Sequence, residues 1–165
     1  MQKGKSDFYL RRANIDDMML FFDWANEKTV RQNSFSTDII NFDNHKAWFE
    51  KSLQNKDRYI YVLMKDDLPL GQIRFDVRDE EAEIAYSIDK SYRNKGFGKI
   101  IISLGIEQIV KDCNRVQTIV AKVKGINEYS KKCFLRNGFE EYRKIFDRDY
   151  EIVEYRNKVK NKSIG

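Results

Sequence analysis

Residues 93–99, Arg-Asn-Lys-Gly-Phe-Gly-Lys, place three cations and two glycines within one short loop. Gly96 and Gly98 lack a Cβ, so backbone N–H groups there can approach an anion closely. The helical pattern that begins at Lys99 turns its positive dipole end to the same place. Arg93, Lys95 and Lys99 add full charges, with Asn94 and Phe97 between them. Together these residues suit a phosphate or pyrophosphate. The same glycines also suit a tight turn, and the spacing is neither a Walker loop nor the dinucleotide GxGxxG.

Flanking elements must hold this loop in place. Residues 81–88, EAEIAYSI, nearly alternate polar Glu81, Glu83 and Tyr86 with Ala82, Ile84, Ala85 and Ile88, as a half-buried strand does. Residues 99–113 carry Ile102, Ile106, Ile109, Val110 and Cys113 on one stripe, broadened by Ile100, Ile101 and Leu104, which predicts a deeply buried helix. Further strands are expected at 8–12, 58–64, 70–77 and 116–123, and two more within 140–159. Helices are expected at 16–26, 43–53 and 127–137, the last stopped by Gly138. Residues 27–40 read as a polar loop, and 66–69 as a turn holding the single proline. Strands and helices alternate with hairpins mixed in, so the expected class is α/β, a mixed sheet with helices on both faces.

A chain of 165 residues with 41% hydrophobic and 35% charged residues is expected to form one globular domain. Its apolar runs are too short for a membrane span, and the opening MQKGKSDFYL lacks the apolar core of a secretory leader. The expected location is therefore the cytoplasm, with no membrane partner. Cys113 and Cys133 have no metal-ligand spacing and His45 is the single histidine, so no metal site is expected. Net charge is +5, but Arg156, Lys158, Lys160 and Lys162 lie in a stretch without acids. Without those four, the 31 basic residues fall to near parity with the 26 acidic ones. The domain is expected to span 1–155, followed by a basic tail at 156–165. The body lacks a basic face interleaved with aromatics, and no nucleic-acid partner is expected. A homodimer is a possible assembly.

The spacing Arg-x-x-Gly-x-Gly between a strand and a helix resembles the acyl-CoA pyrophosphate loop of the GNAT superfamily of N-acetyltransferases. Asn127-Glu128-Tyr129-Ser130, then Phe134, then Gly138-Phe139 is similar to that superfamily's late helix, and the two motifs stand in the expected order. The resemblance implies a mostly antiparallel sheet whose two central parallel strands, here 81–88 and 116–123, splay apart around acetyl-CoA. It implies that backbone groups of Tyr86, Ser87 and Ile88 pair with the pantetheine arm. Asn127 would bond the same arm, with Ser130 and Lys131 close by. Asn127 also reads as a helix N-cap. Many members carry a tyrosine where Phe134 stands, as proton donor to the leaving thiolate, and phenylalanine has no proton to give.

Acetyl transfer needs a neutral amine, hence a base or a water relay. Glu83 is the candidate, with Glu81 in reserve, and both also read as solvated residues of a strand face. His45 is the other candidate, since an imidazole can accept a proton near neutral pH. Beside Trp48 and Phe49 it equally suits a packed helix face. On the acceptor side the pattern W-x-N, V-R-x-N-S-F, H-x-x-W-F, from Trp24 to Phe49, resembles the GNAT branch that acetylates UDP-linked 4-amino-4,6-dideoxy sugars in pseudaminic-acid-type biosynthesis. That likeness implies substrate contacts from Arg31, Asn33, Phe35, His45, Trp48 and Arg74. Arginine forks suit a diphosphate, and aromatics suit uracil or an apolar sugar face. Packing of Trp24, Trp48 and Phe35 in the core, and an Arg31 pair with Glu27, are the plainer alternatives. Acetylation of a protein N-terminus or ribosomal protein, and an acyl-CoA sensor without turnover, remain as other functions.

Overall fold

The computed structural model describes residues 7–159. Strand β1 (Phe8–Arg12) leads through a 3-10 turn (Ile15–Asp17) into α1 (Met18–Ala25), α2 (Lys28–Asn33) and α3 (Phe42–Gln54). Strands β2 (Arg58–Lys65), β3 (Leu68–Arg78) and β4 (Glu81–Ile88) form a meander, and a second 3-10 turn (Lys90–Tyr92) precedes α4 (Phe97–Asp112). The chain closes with β5 (Thr118–Lys124), α5 (Glu128–Arg136), β6 (Glu140–Asp147) and β7 (Tyr150–Lys158). One seven-stranded sheet results, in the order β1-β2-β3-β4-β5-β7-β6. Only the central β4–β5 pair is parallel.

Strand alternation sorts the two faces. Ile73, Phe75, Ala82, Ile84, Ile119 and Ala121 point to one side, where Ile101, Ile102 and Ile109 of α4 and Phe134 of α5 cover them. On the other side Phe21 and Trp24 of α1 and Phe49 of α3 cover Ile60, Val62 and Met64 of β2. That second cover stops at β2, so the far faces of β3, β4 and β5 keep the polar alternates: Arg74, Asp76, Glu83 and Lys122. Among the described residues no helix is long and apolar enough to cross a membrane.

Two expectations need correction. Residues 28–33 form a helix rather than part of a loop: the Glu27 carboxylate accepts the Val30 N–H (3.2 Å) and starts it without any apolar stripe. Strand β7 also continues past residue 155. Arg156 is held there by hydrogen bonds to Glu154 (3.0 Å) and Glu81 (3.1 Å), so a free tail cannot start at 156. Lys160 and Lys162 lie outside the described residues.

Candidate functional site

The central parallel pair is short. Glu81–Ile84 register with Thr118–Ala121, and there the pairing ends. Beyond it β4 continues on β3 alone, with Arg74 opposite Ala85, Ile73 opposite Tyr86 and Gln72 opposite Ser87. Lys122, Val123 and Lys124 likewise pair only with β7. Among the described residues, the facing main-chain edges of 85–88 and 122–124 therefore have no strand between them. Unpaired backbone groups in a sheet are a template for another extended, amide-bearing chain.

The loop after β4 closes one end of this gap. Asp89 accepts hydrogen bonds from Ser91 N–H and the Trp24 indole, each at 2.8 Å, which ties the loop to α1. Asn94 (φ 63°) and Gly96 (φ 80°) take left-handed conformations, and Gly96 begins α4. No side chain among the described residues caps that end, so its first N–H groups are left for an anion. Gly98 also has a packing role. A Cβ there would lie 2.9 Å from the Tyr129 hydroxyl and 3.1 Å from Cys133 Sγ, so this glycine permits the close crossing of α4 and α5. Arg93 is also turned inward: its guanidinium donates to Glu27 (2.7 Å) and to the Ile88 carbonyl (3.1 Å). Phe97 packs edge-on against Phe8 (5.3 Å between centroids). For a pyrophosphate the loop thus offers exposed Lys95 and Lys99 with the backbone of 94–99.

Across the gap, after β5, stands the start of α5. The Asn127 side chain accepts the Ser130 N–H (3.3 Å), so its capping role is real. Ser130 Oγ lies 2.8 Å from the Tyr86 hydroxyl. Burial pushes the Tyr86 phenol up, so it stays protonated. Phe134 is 3% exposed and meets Tyr86 edge-on at 5.7 Å and Phe139 at 5.0 Å, which makes it core. Lys131 turns away, donating to the Gly125 carbonyl (3.1 Å) and to Glu128 (2.9 Å).

The opposite face of the sheet carries residues expected on the acceptor side. The Trp48 ring lies beside the guanidinium groups of Arg58 (5.6 Å) and Arg74 (5.4 Å). Asp76 binds Arg58 at 2.5 Å and lies 3.4 Å from Arg74 Nε, an atom that is buried without a hydrogen-bond partner among the described residues. Burial lowers the Arg74 pKa from its usual value, and the charge of Asp76 opposes this. Glu83 pairs with Lys122 at 3.0 Å across the parallel strands, with both side chains partly in solvent. Lys122 carried no sequence signal beyond its alternation with apolar neighbours. Nor did Glu154, which is 1% exposed and bound by Arg143 and Arg156.

Two expected site residues are consumed elsewhere. His45 is 3% exposed, with Nε2 3.0 Å from the Met18 carbonyl and its ring stacked on Phe49 at 5.8 Å. It joins α3 to α1 and has no open side for a substrate. Arg31 donates to the carbonyls of Ala25 (2.6 Å), Ser36 (3.1 Å) and Asp38 (3.2 Å) and to Ser34 Oγ (3.2 Å). It fastens the segment after α2 and does not pair with Glu27. Asn33 ends α2, partly buried. Phe35 is exposed and lies parallel to Tyr150 (6.4 Å, 9°), beside the buried Lys124, whose ammonium donates to the Gln32 carbonyl (2.9 Å).

A sheet that parts between two central parallel strands, next to an uncapped glycine turn at a helix N-terminus, defines an acyl-CoA-binding fold. The family model described as acetyltransferase (GNAT) domain matches residues 7–140, and the chain belongs to that family. It is an acetyl-CoA-dependent N-acetyltransferase. Acetyltransferase PseH of Campylobacter jejuni is 24% identical over 139 residues, which cover 84% of each chain. Among solved structures, the spermidine N-acetyltransferase of Vibrio cholerae in complex with CoA and spermine superposes with a TM-score of 0.84 at 16% identity, over 93% of this chain and 96% of that one. The ribosomal L7/L12 alpha-N-protein acetyltransferase RimL in complex with CoA gives 0.83 at 13% identity, over 95% and 97%. Aminoglycoside acetyltransferase AAC(6')-Ib with ribostamycin and CoA gives 0.80 at 15% identity, over 92% and 93%.

Proposed function

We propose that this enzyme acetylates the 4-amino group of a UDP-linked amino-deoxy sugar. The observation that carries this reading is the Trp48 ring with Arg58 and Arg74 grouped beside it on the acceptor face. An indole covers a uracil or an apolar sugar face, and a guanidinium meets phosphate or hydroxyl oxygens. A polyamine would be opposed by Arg58, Arg74 and Lys122 at the same surface. The likeness to PseH and the acceptor-side motif support the sugar class.

Glu83 stands on β4 just before the strands part, and serves as the base, directly or through water. Its partner Lys122 holds the carboxylate on this face at 3.0 Å. The backbone of Tyr86, Ser87 and Ile88 holds the pantetheine arm, Asn127 stands at its far side, and Lys95, Lys99 and the α4 N-terminus hold the pyrophosphate. A cytoplasmic location and a homodimer belong to the same reading. The test is release of CoA thiol from acetyl-CoA on adding a UDP-4-amino-4,6-dideoxy hexosamine, spermidine, or a peptide with a free N-terminus. Sugar-dependent release is expected. Release with spermidine or peptide alone would replace the sugar by that amine.

A further inference from the structure

The C-terminal end of α4 borders a cavity that acetyl transfer does not use. The first turn of this helix carries the glycine loop, and its last residue, Asp112, lies roughly 20 Å further along at the helical rise. There Leu10, Arg12, Tyr61, Gln108 and Asp112 line a cavity of about 320 Å³. That volume is at the small end for ligand sites. Tyr61 packs into the core on the α4 side of the sheet, whereas Trp48 packs with the cluster on the other side. The cavity is thus separate from both the gap and the acceptor residues.

Two opposite charges border this cavity without pairing with each other. The Arg12 guanidinium lies over the rings of Tyr59 (4.9 Å) and Tyr61 (5.5 Å) and has no carboxylate partner among the described residues. A stacked guanidinium keeps its N–H edge available to a planar acceptor. The Asp112 carboxylate accepts the Tyr61 hydroxyl, and Gln108 Nε2 donates to its two oxygens (3.1 and 3.2 Å). Those bonds hold the carboxylate in place and leave its charge without a cation. Burial and the charge of Asp112 push the Tyr61 phenol up, so its hydroxyl stays a donor. Asp112 also stands at the negative dipole end of a sixteen-residue helix, which favours a further cation. We propose that this cavity binds a free α-amino acid, its carboxylate on Arg12 and its ammonium on Asp112. A polyamine would meet Arg12, and a phosphate would meet Asp112, each as a like charge. A neutral sugar would leave both charges unanswered. Leu10 is the apolar wall and suits a short aliphatic side chain.

This inference is independent of which amine is acetylated, so its test needs neither acetyl-CoA nor turnover. The full chain is titrated with L-alanine or L-leucine to about 10 mM, a range that detects weak binding, while backbone amide resonances are followed. Saturable shifts are expected at residues 10–12, 61 and 108–112. Propionate carries only the carboxylate and propylamine only the ammonium, and each should bind about tenfold more weakly than L-alanine. Arg12→Gln and Asp112→Asn should each weaken L-alanine by about tenfold as well. Asp112→Asn keeps an oxygen to accept from Tyr61, so it removes the charge and spares the hydrogen bond. Absence of shifts with both amino acids overturns the proposal, as do shifts confined to other residues. Equal binding by propionate or propylamine also overturns it, by showing a contact with one charge alone. If Arg12→Gln does not fold, the comparison of L-alanine with its two single-charge analogues on the unaltered protein decides.

Discussion

The Glu27–Arg93 pair makes a sharp test of how the cofactor loop is anchored. Arg93 sits at the head of the loop, and its 2.7 Å bond to Glu27 ties that loop to the start of α2. The Arg93 hydrogen bond is the main reason the Glu27 carboxyl is held down at about 2, from an ordinary 4.5. A depressed carboxyl stabilises the fold in full above its unfolded pKa and loses that contribution as pH falls toward the folded one. The window is thus from about 4.5 down to about 2. A gap of that size sets a ceiling of about 3.4 kcal/mol. The side chains are 26% and 19% exposed, so solvent screening brings the expected value to about 1–2 kcal/mol. Glu27→Gln keeps an amide oxygen to cap Val30 and removes only the charge. Unfolding free energies of wild type and Glu27→Gln from urea titrations should differ by that amount at pH 7, and the difference should shrink by more than half near pH 3. A difference that stays constant across this range would show that the charge pair contributes nothing.

Other substitutions probe the packing and the chemistry separately. Gly105→Ala places a Cβ 2.5 Å from Ile73 Cδ1 and 3.2 Å from Phe75 Cζ. Overpacking of about 1–3 kcal/mol then outweighs about 1 kcal/mol of gained helix propensity. Ile73→Val removes that Cδ1, so the double variant should be more stable than the sum of the single changes allows; additive values would argue against the clash. His45→Phe removes the hydrogen bond that joins α3 to the Met18 carbonyl and should cost about 0.5–1.5 kcal/mol in thermal or urea unfolding with kcat little changed. A hundredfold loss of kcat in folded protein would restore His45 as a base. Glu83→Gln should lower the rate more at pH 7 than at pH 9, where more of the amine is already neutral. Equal losses at both pH values would remove Glu83 from proton transfer.

Much of the architecture could be read from pattern. Alternation in 81–88 and the stripe of 99–113 gave β4 and α4 almost to the residue, because both elements bury a continuous apolar side. Helix α2 escaped notice because its residues KTVRQN contain Val30 as their one hydrophobe; a cap and the bonds of Arg31 stabilise it instead. Site residues were harder for a related reason. Residue type says what Arg31, Arg93 and His45 are able to bind, but folding decides whether a carbonyl or carboxylate of the same chain reaches them first. The Glu83–Lys122 pair and the Tyr86–Ser130 bond depend on strand register and on the packing of α5, which no local pattern records.

The parting of β4 and β5 bears on how such a chain can diverge. Walls made of peptide groups present the same donors and acceptors whatever side chains flank them. Substitution along 85–88 and 122–124 can therefore proceed while the shape of the opening is kept, provided that the strands still diverge after Ile84 and Ala121. The fold is shared with RimL at 13% identity and with the spermidine enzyme at 16%. On the proposed reading, donor recognition stays fixed in the main chain while Trp48, Arg74, Glu83 and Lys122, on the opposite face, are free to change with the amine.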